Sequence, residues 1–135
     1  MSLRKTIDRL REQDSIINVS APISKHYEIA GVLKQLEPKP VLFERVIESR
    51  HRVVGNLFCT KASFADYFGI PVSEIIPTLT HAIEQRSPPA LVQEAPCQEV
   101  IITAPDLDQL PILRHYEQDG GNYISSGVVI ARHPQ

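Results

Sequence analysis

Short apolar segments of strand length alternate with helical patterns along the first 86 residues. The runs 16-IINV-19, 41-VLF-43 and 53-VVGNLF-58 match short buried strands. Pro38 and Pro40 lie just before the second run, so the helical pattern that precedes it must end there. A chain that alternates short strands with helices packs them in layers. The pattern therefore predicts a mixed α/β (or α+β) fold and argues against a helix bundle.

Apolar residues at helical spacing predict four helices. The first runs from Leu3 to about Gln13, and the second follows Ser24, which is predicted to be its N-cap. The third and fourth lie within residues 61–86, and Gly69 and Pro71 separate them. The apolar stripes are Leu3, Ile7 and Leu10; Ile29, Val32, Leu33 and Leu36; Ala62, Ala65 and Phe68; and Ile75, Leu79 and Ile83. Each stripe would bury one face of its helix.

The sequence 87-SPP-89 is the best candidate for a domain boundary. We expect a small amino-terminal α/β domain over residues 1–90 and the start of a β-rich unit over residues 91–135. The elements predicted in the second segment are a strand at Glu99–Ile102, a turn at Asp106–Pro111 and a strand at Tyr123–Arg132. The last strand is apolar and needs a partner, because an unpaired apolar edge promotes association.

Charge and composition exclude several classes of protein. A net charge of −2 at pH 7 and a pI near 6.2 give no broad attraction for nucleic acid or anionic membranes. No run approaches the roughly 18 apolar residues of a membrane-spanning helix, and the amino terminus lacks a signal peptide's apolar core. Cys59 and Cys97 form neither a disulfide framework nor a CxxC motif. We expect a cytoplasmic protein without nucleic-acid or membrane partners.

The chemically reactive residues do not combine into a self-sufficient active site. No metal-ligand spacing occurs among the histidines, which are His26, His51, His81, His115 and His133. Gly120 and Gly121 could cradle a phosphate through backbone N–H groups, although a glycine pair more often forms a tight turn. Cys97 is predicted to be a packed side chain rather than a nucleophile, because Glu99 beside it disfavours a thiolate.

Ser125 and Ser126 are the candidate binding residues of the last predicted strand. Their hydroxyls could bind a ligand, whereas serines in strands usually bond to nearby backbone groups. Asp106 and Asp108 resemble a pair of acid–base carboxylates, but in a turn that ends in Leu-Pro they are more typical of backbone capping. The residues alone predict a mixed α/β domain and leave its function open.

Seven stretches of the chain occur together, in the same order, in one protein family. They are 3-LRKTIDRLREQDSIINV-19, 26-HYEIAGVL-33, 41-VLFERV-46, 53-VVGNLF-58, 94-EAPCQEVI-101, 106-DLDQLPIL-113 and 119-DGGNYISSGVVIARHP-134. Each stretch is weakly specific by itself. Together they span nearly the whole chain, and it resembles the amino-terminal part of the UbiD-type decarboxylases.

This resemblance implies an activity, a set of cofactors and a fold. Members of the family decarboxylate aromatic or α,β-unsaturated carboxylic acids without oxidation, and some run the reaction as carboxylases. They use prenylated FMN together with a divalent metal, usually Mn²⁺, and K⁺, and the flavin serves as the electron sink. The resemblance also implies that residues 91–135 contain the first strands of a flavin-binding split β-barrel.

For individual residues the resemblance implies little. Ser125 matches a position at the edge of the cofactor site where many relatives have Thr, and Ser126 belongs to the same motif. Both are therefore predicted to be cofactor-binding residues. The family's metal ligands and proton donor match no position up to Gln135, so no catalytic and no metal-binding residue is assigned. We expect residues 1–135 alone to be inactive and to bind neither flavin nor Mn²⁺.

Two hypotheses about function remain open from the sequence. In the first, the chain is the amino-terminal part of a UbiD-like decarboxylase, which we expect to be a homo-oligomer acting on a small carboxylic acid. In the second, it is a non-catalytic partner subunit that completes a decarboxylase by adding its last strand to another chain's sheet. The sequence that follows Gln135 in the gene would distinguish the two.

Overall fold

The computed structural model describes residues 2–85, 87–88, 90–125 and 127–129. Its helices are α1 (Leu3–Glu12), α2 (Glu28–Leu36), α3 (Lys61–Phe68) and α4 (Ile75–Glu84). Its strands are β1 (Ile17–Val19), β2 (Val41–Phe43) and β3 (Val53–Gly55). Short 3-10 turns lie at Val72–Glu74, Pro96–Gln98 and Leu107–Gln109. The predicted mixed α/β fold is confirmed, and no helix in the described part of the chain is long and apolar enough to cross a membrane.

The three strands form one sheet in the order β1-β2-β3. β1 and β2 run parallel, and α2 connects them, since parallel neighbours need a crossover between their opposite ends. β2 and β3 run antiparallel, with Val41 opposite Gly55 and Phe43 opposite Val53. Because β2 has a partner on each edge, its backbone groups are paired, and all three of its residues are buried.

The core forms where α2 packs on this sheet. Ile29 of α2 and Val41 and Phe43 of β2 are 0% exposed, and Ile23 and Val46 complete the buried cluster. The half-buried residues packed around it are Ile17, Val19, Val32, Leu33, Leu36, Val53 and Leu113. The predicted apolar stripe of α2 is thus confirmed. Leu113 brings the second predicted segment into the same core.

The beginning of α2 differs from the sequence prediction. Ser24 was the predicted N-cap, but the helix begins at Glu28, and Tyr27 occupies the capping position. The Ser24 hydroxyl instead donates to Glu48 Oε1 at 2.5 Å, and the Ser24 backbone N–H donates to Glu28 Oε2 at 2.7 Å. Because Ser24 binds a carboxylate distant in sequence, it does not cap the helix.

The ends of α3 agree with the sequence prediction. Thr60 and Ser63 form a reciprocal capping box at the start of the helix. Gly69 ends it with a left-handed backbone, φ 68°, which glycine adopts without steric cost. α4 also follows its predicted range, with Pro77 inside its first turn.

The strands predicted in the second segment are absent from the residues that the structure describes. Glu99–Ile102 is irregular, and Cys97, predicted to be packed, is exposed in the 3-10 turn before it. Residues 123–125 and 127–129 lie in no strand, while the rest of the predicted strand, Ser126 and 130–132, falls outside the described residues. An apolar run forms a strand only beside a neighbour that continues the hydrogen-bond ladder. In the described residues the second run makes one such bond, from the Tyr123 N–H to the Leu113 carbonyl, and no ladder follows it.

The predicted turn at Asp106–Pro111 is confirmed and leads the chain back to the sheet. The Asp106 carboxylate accepts a hydrogen bond from the Asp108 N–H, which is the predicted capping role. Residues 107–114, called here the returning segment, then lie along the loop before α2. The Arg114 N–H donates to the Lys25 carbonyl at 3.1 Å, and the Tyr27 N–H donates to the Arg114 carbonyl at 2.9 Å.

The absence of a side chain at Gly55 allows α2 to pack closely against β3. A Cβ atom at Gly55 would lie 2.4 Å from Leu33 Cδ2 and 3.1 Å from Leu33 Cγ. Gly31, on α2 itself, offers the opposite case, since a Cβ there would meet nothing within 4 Å. The two glycines therefore make a matched pair for substitution.

We predict that Gly55→Ala lowers the free energy of unfolding by about 1–3 kcal/mol, because Leu33 must leave its position in a packed contact. Gly31→Ala should instead raise it by roughly 0.5–1 kcal/mol, because alanine favours the helix. Urea unfolding measures both. The double variant Gly55→Ala/Leu33→Ala should lose less stability than the sum of the losses in the two single variants. Fully additive costs would show that Leu33 is not the obstacle.

The Glu48 carboxylate links the loop before α2 to the segment after β2. Burial raises the pKa of Glu48. Hydrogen bonds from the Ser24 hydroxyl and the Lys25 N–H lower it, and together the lowering effects are larger, so the pKa of Glu48 lies below the ordinary value of 4.5. A carboxyl group with a lowered folded-state pKa stabilises the fold above its unfolded-state pKa. That stabilisation disappears as the pH falls through the folded-state pKa.

We predict that Glu48→Gln costs about 1 kcal/mol of stability at pH 7, a modest value because the group is partly solvated. The difference from wild type should begin to shrink as the pH falls below the ordinary value of 4.5, and it should disappear below the lowered folded-state pKa of Glu48. Urea unfolding at several pH values measures this. A difference that stays constant down to pH 3 would exclude a role for the ionised carboxylate.

Candidate functional site

A cavity of about 900 Å³ lies between α2, β3 and the returning segment. Its size is within the range of small-molecule and cofactor pockets, roughly 300–1,000 Å³. α2 and the residues after it form one side, and β3 with Asn56 and Cys59 forms the second. Residues 110–113, 115–116 and 123–125 form the third. The site therefore joins the two segments that the sequence divides at residues 87–89.

The apolar part of the cavity wall is a continuation of the core. Leu33, Val53 and Leu113 line the cavity and also pack against the buried cluster. Leu113 also contacts the chain at Tyr123, because its carbonyl accepts a hydrogen bond from the Tyr123 N–H at 3.1 Å. The rings of Tyr123 and His115 lie in contact, with centroids 4.9 Å apart and planes tilted by 36°. The core thus positions one aromatic pair in the wall.

Ser125 lies in the cavity wall two residues after Tyr123, with its side chain exposed. The structure therefore places this predicted site residue beside an aromatic pair and an apolar surface. Ser126, the other predicted cofactor-binding residue, lies outside the described residues. A serine hydroxyl in such a wall can donate and accept one neutral hydrogen bond at the edge of a ligand.

The charged groups of the cavity form an exposed ion pair. Lys34 Nζ lies 2.9 Å from Glu37 Oε2, and the hydrogen bond and the charge of Glu37 raise the pKa of Lys34. Partial desolvation, followed by the charge of Glu37, raises the pKa of the Cys59 thiol, although the residue as a whole is exposed. Cys59 is therefore protonated at neutral pH and is a poor nucleophile.

Asn56 is a cavity residue that the sequence patterns did not single out. Its Nδ2 donates to the Leu33 carbonyl at 2.8 Å, which satisfies a carbonyl in the last turn of α2. The backbone of Asn56 is left-handed, with φ 59°, a conformation that asparagine tolerates. The Gly-Asn pair is a turn signal, and it indicates that β3 ends at Gly55 rather than continuing to Phe58.

Tyr27 is the second cavity residue that the sequence did not reveal. Its φ of 67° is rare for a bulky residue and costs about 1–3 kcal/mol unless the surroundings fix it. Here the Arg114 carbonyl accepts the Tyr27 N–H, and the Arg114 guanidinium lies 5.6 Å from the centroid of the Tyr27 ring. No local pattern predicts this conformation, because its cause is a contact with the returning segment.

Most of the remaining candidates lie away from the cavity. His26, His51 and His81 are exposed, and His133 lies outside the described residues, so His115 is the one described histidine that lines the cavity, beside Tyr123. Gly120 and Gly121 are exposed bends outside the cavity lining. Within the described ranges, no group of three or more His, Cys, Asp or Glu side chains could hold a metal ion.

The wall that the described residues provide combines apolar surface, aromatic rings and a hydroxyl group. Leu33, Val53 and Ile124 supply apolar surface, Tyr123 supplies an aromatic face, and the Ser125 hydroxyl lies at the rim. Lys34 is the lining cation among the described residues, and Glu37 already neutralises it. This chemistry suits the edge of a planar aromatic ring, and the described residues form no phosphate cradle.

Two family models match the chain in succession. The N-terminal domain of 3-octaprenyl-4-hydroxybenzoate carboxy-lyase (UbiD) matches residues 7–83. The Rift-related domain of the same enzyme family matches residues 90–135.

Curated relatives match almost all of this chain but only part of their own length. Anhydromevalonate phosphate decarboxylase of Methanosarcina mazei is 34% identical over 133 residues, which cover 98% of this chain and 31% of that protein. The enzyme of the same name from Methanothermobacter thermautotrophicus is 31% identical over 132 residues, which cover 98% of this chain and 30% of that protein. The chain thus spans about 30% of the length of these relatives.

Solved structures agree with the sequence matches. The UbiD-class enzyme HmfF from Pelotomaculum thermopropionicum, in complex with FMN, superposes with a TM-score of 0.82 at 32% identity, covering 92% of this chain and 29% of that one. Vanillic acid decarboxylase of Sedimentibacter hydroxybenzoicus in its closed form superposes with a TM-score of 0.75 at 27% identity, covering 91% of this chain and 29% of that one. Since the model of the N-terminal domain alone matches more than half of the chain, the chain belongs to the UbiD family and corresponds to its amino-terminal portion.

Proposed function

We propose that this chain forms the amino-terminal part of a non-oxidative decarboxylase that acts on an aromatic or α,β-unsaturated carboxylic acid. The observation that carries the proposal is the succession of both family domains, over residues 7–83 and 90–135. The similar proteins are named as decarboxylases. Because the chain spans about 30% of such proteins, the activity is proposed for the whole protein.

The proposed division is an amino-terminal domain over residues 1–90 and the start of the split-barrel domain over residues 91–135. Its support is the change in structure after α4, where helices and strands give way to 3-10 turns and irregular backbone in the described residues. The returning segment and Leu113 connect the second domain to the core of the first. The cavity at this junction is where we propose that the cofactor edge lies.

The proposed cofactor is prenylated FMN, with Ser125 and Ser126 at its edge. FMN is bound in the similar HmfF structure, and a second HmfF structure is a complex with prenylated FMN. When bound, the flavin supplies an electron sink for the carbanion that decarboxylation leaves. Ser125 contributes a neutral hydrogen bond, and the apolar wall of Leu33, Val53 and Ile124 excludes water from one side.

Further properties are proposed for the whole protein from the family resemblance. They are the use of Mn²⁺ and K⁺, with ligands outside the residues described, a cytoplasmic location and a homo-oligomeric state. The partner-subunit hypothesis is the alternative that the experiment on the full-length protein, described next, distinguishes from this proposal.

We predict that the full-length protein, produced together with a prenyl-flavin synthase, carries a flavin absorbance band. It should also release carbon dioxide from at least one aromatic or α,β-unsaturated acid, because the whole family machinery is then present. Absorbance spectra and carbon dioxide release from a panel of such acids measure this. A full-length protein that stays free of flavin and inactive on the panel would instead favour the partner-subunit hypothesis.

We predict that Ser125→Ala in the full-length protein weakens flavin retention roughly threefold to tenfold, the effect of losing one neutral hydrogen bond. Ser125→Val should weaken it more, because its branched side chain adds bulk at the rim. Ser125→Thr, which keeps the hydroxyl, should stay near wild type. Flavin occupancy after gel filtration measures all three variants.

Ser73→Ala is the matched control for the Ser125 series, since Ser73 is exposed in the 3-10 turn before α4, away from the cavity lining. It should leave the flavin occupancy unchanged. If Ser125→Ala and Ser125→Val also retain full occupancy, Ser125 does not contact the cofactor.

A further inference from the structure

Lys25 is a buried charged residue that the proposed function has not used. It is only 4% exposed, although lysine is rarely buried without a partner. Its Nζ donates to the carbonyl oxygens of Asp108 at 2.5 Å and of Leu110 at 3.2 Å. A buried ammonium group therefore holds the returning segment through its main chain, more than 80 residues away.

The neighbours of Lys25 strengthen this contact. The Ser49 hydroxyl donates to the Gln109 carbonyl at 2.7 Å, so three successive carbonyls of the returning segment face donors from the amino-terminal domain. Glu48 accepts the Lys25 backbone N–H at 3.0 Å and fixes the loop that carries the ammonium group. We refer to Lys25 and Ser49 together as the carbonyl clamp.

The carbonyl clamp acts on the cavity wall. Leu110, which Lys25 binds directly, and the next three residues line the cavity. Leu113, at the end of that run, accepts the Tyr123 N–H, and Ser125 follows two residues later. The chain of contacts thus leads from Lys25 to the serine at the rim.

Stability alone does not explain a lysine at this position. Replacing a buried charge with an apolar side chain of similar size is often neutral or stabilising, because the charge no longer has to be desolvated. A methionine could fill the same space. What it could not do is donate to the carbonyls and so fix the register of the returning segment.

We propose that Lys25 is a positioning residue for the cofactor edge, which it orders through residues 108–113 and Tyr123. This inference rests on the proposed function. Lys25 does not touch the flavin; it determines where Ser125 and the Tyr123–His115 ring pair lie. The same clamp would hold the two proposed domains at a fixed distance around the cavity.

The test compares four variants of the full-length protein with wild type. Lys25→Met removes the donors and keeps the bulk, Lys25→Arg keeps the donors, and Ser49→Ala removes the weaker contact. Lys5→Met is the control, since Lys5 is an exposed lysine on α1. Hydrogen exchange reports the order of each segment without flavin, and titration with FMN reports the affinity of the cavity.

In Lys25→Met the amides of residues 107–114 and 123–125 should exchange roughly tenfold to a hundredfold faster, the factor for losing a hydrogen bond to a charged donor. The amides of β2 should be unaffected, and FMN affinity should fall about tenfold. Lys25→Arg should keep most of the exchange protection and most of the FMN affinity of wild type, because arginine keeps the hydrogen-bond donors. Ser49→Ala should show a smaller effect, roughly twofold to tenfold faster exchange. Lys5→Met should match wild type.

The contrary results separate the clamp, the positioning role and the proposed function. Unchanged exchange of residues 107–125 in both Lys25→Met and Ser49→Ala would overturn the clamp. Faster exchange with unchanged FMN affinity would overturn the positioning role. A loss of protection in β2 as large as that in residues 107–114 would overturn it too, because it would indicate a purely structural role for Lys25. If wild type itself binds no FMN in any preparation, the proposed function fails, and this result is distinct from a defect confined to the variants.

Discussion

The packing of α2 against the central strand β2 is the contact on which the rest of the structure depends. Ile29, Val41 and Phe43 are completely buried there, and removal of apolar surface from water is the dominant favourable term in folding. β2 can be buried along its whole length because β1 and β3 satisfy its backbone on both edges. This small layer fixes the direction of α2, and α2 in turn forms one wall of the cavity.

The sequence predicted the elements whose cause is local. The stripe of Ile29, Val32, Leu33 and Leu36 marks α2, because burial of one helix face imposes a helical period on the sequence. Gly69 marks the end of α3 because only glycine adopts its backbone conformation without cost. The family resemblance, which the family models confirm, was likewise visible from ordered short motifs. The resemblance also singled out Ser125, whose contact with a cofactor stays a prediction.

Features with a distant cause could not be predicted. Ser24 has the composition of an N-cap, but Glu48, 24 residues away, takes its hydroxyl, so α2 begins later. Tyr27 adopts a left-handed φ because Arg114 binds its N–H. The apolar run at Glu99–Ile102 gives the signal of a strand, yet a strand also needs a neighbour, and periodicity says nothing about one. The cavity itself depends on the return of residues 107–114, which no local pattern in the sequence encodes.

Apolar and polar contacts contribute differently to that return. Burial of Leu113 in the core stabilises the returning segment, but burial is non-directional and would tolerate a shift of this segment along the loop before α2. Hydrogen bonds from Lys25 and Ser49 to three successive carbonyls have strict geometry, so they permit one register only. A shift of one residue would move Tyr123 and Ser125 by about 3.3 Å, roughly the length of a hydrogen bond. A site that must place a hydroxyl at the edge of a rigid ring therefore benefits from a directional clamp, even at the cost of burying a charge.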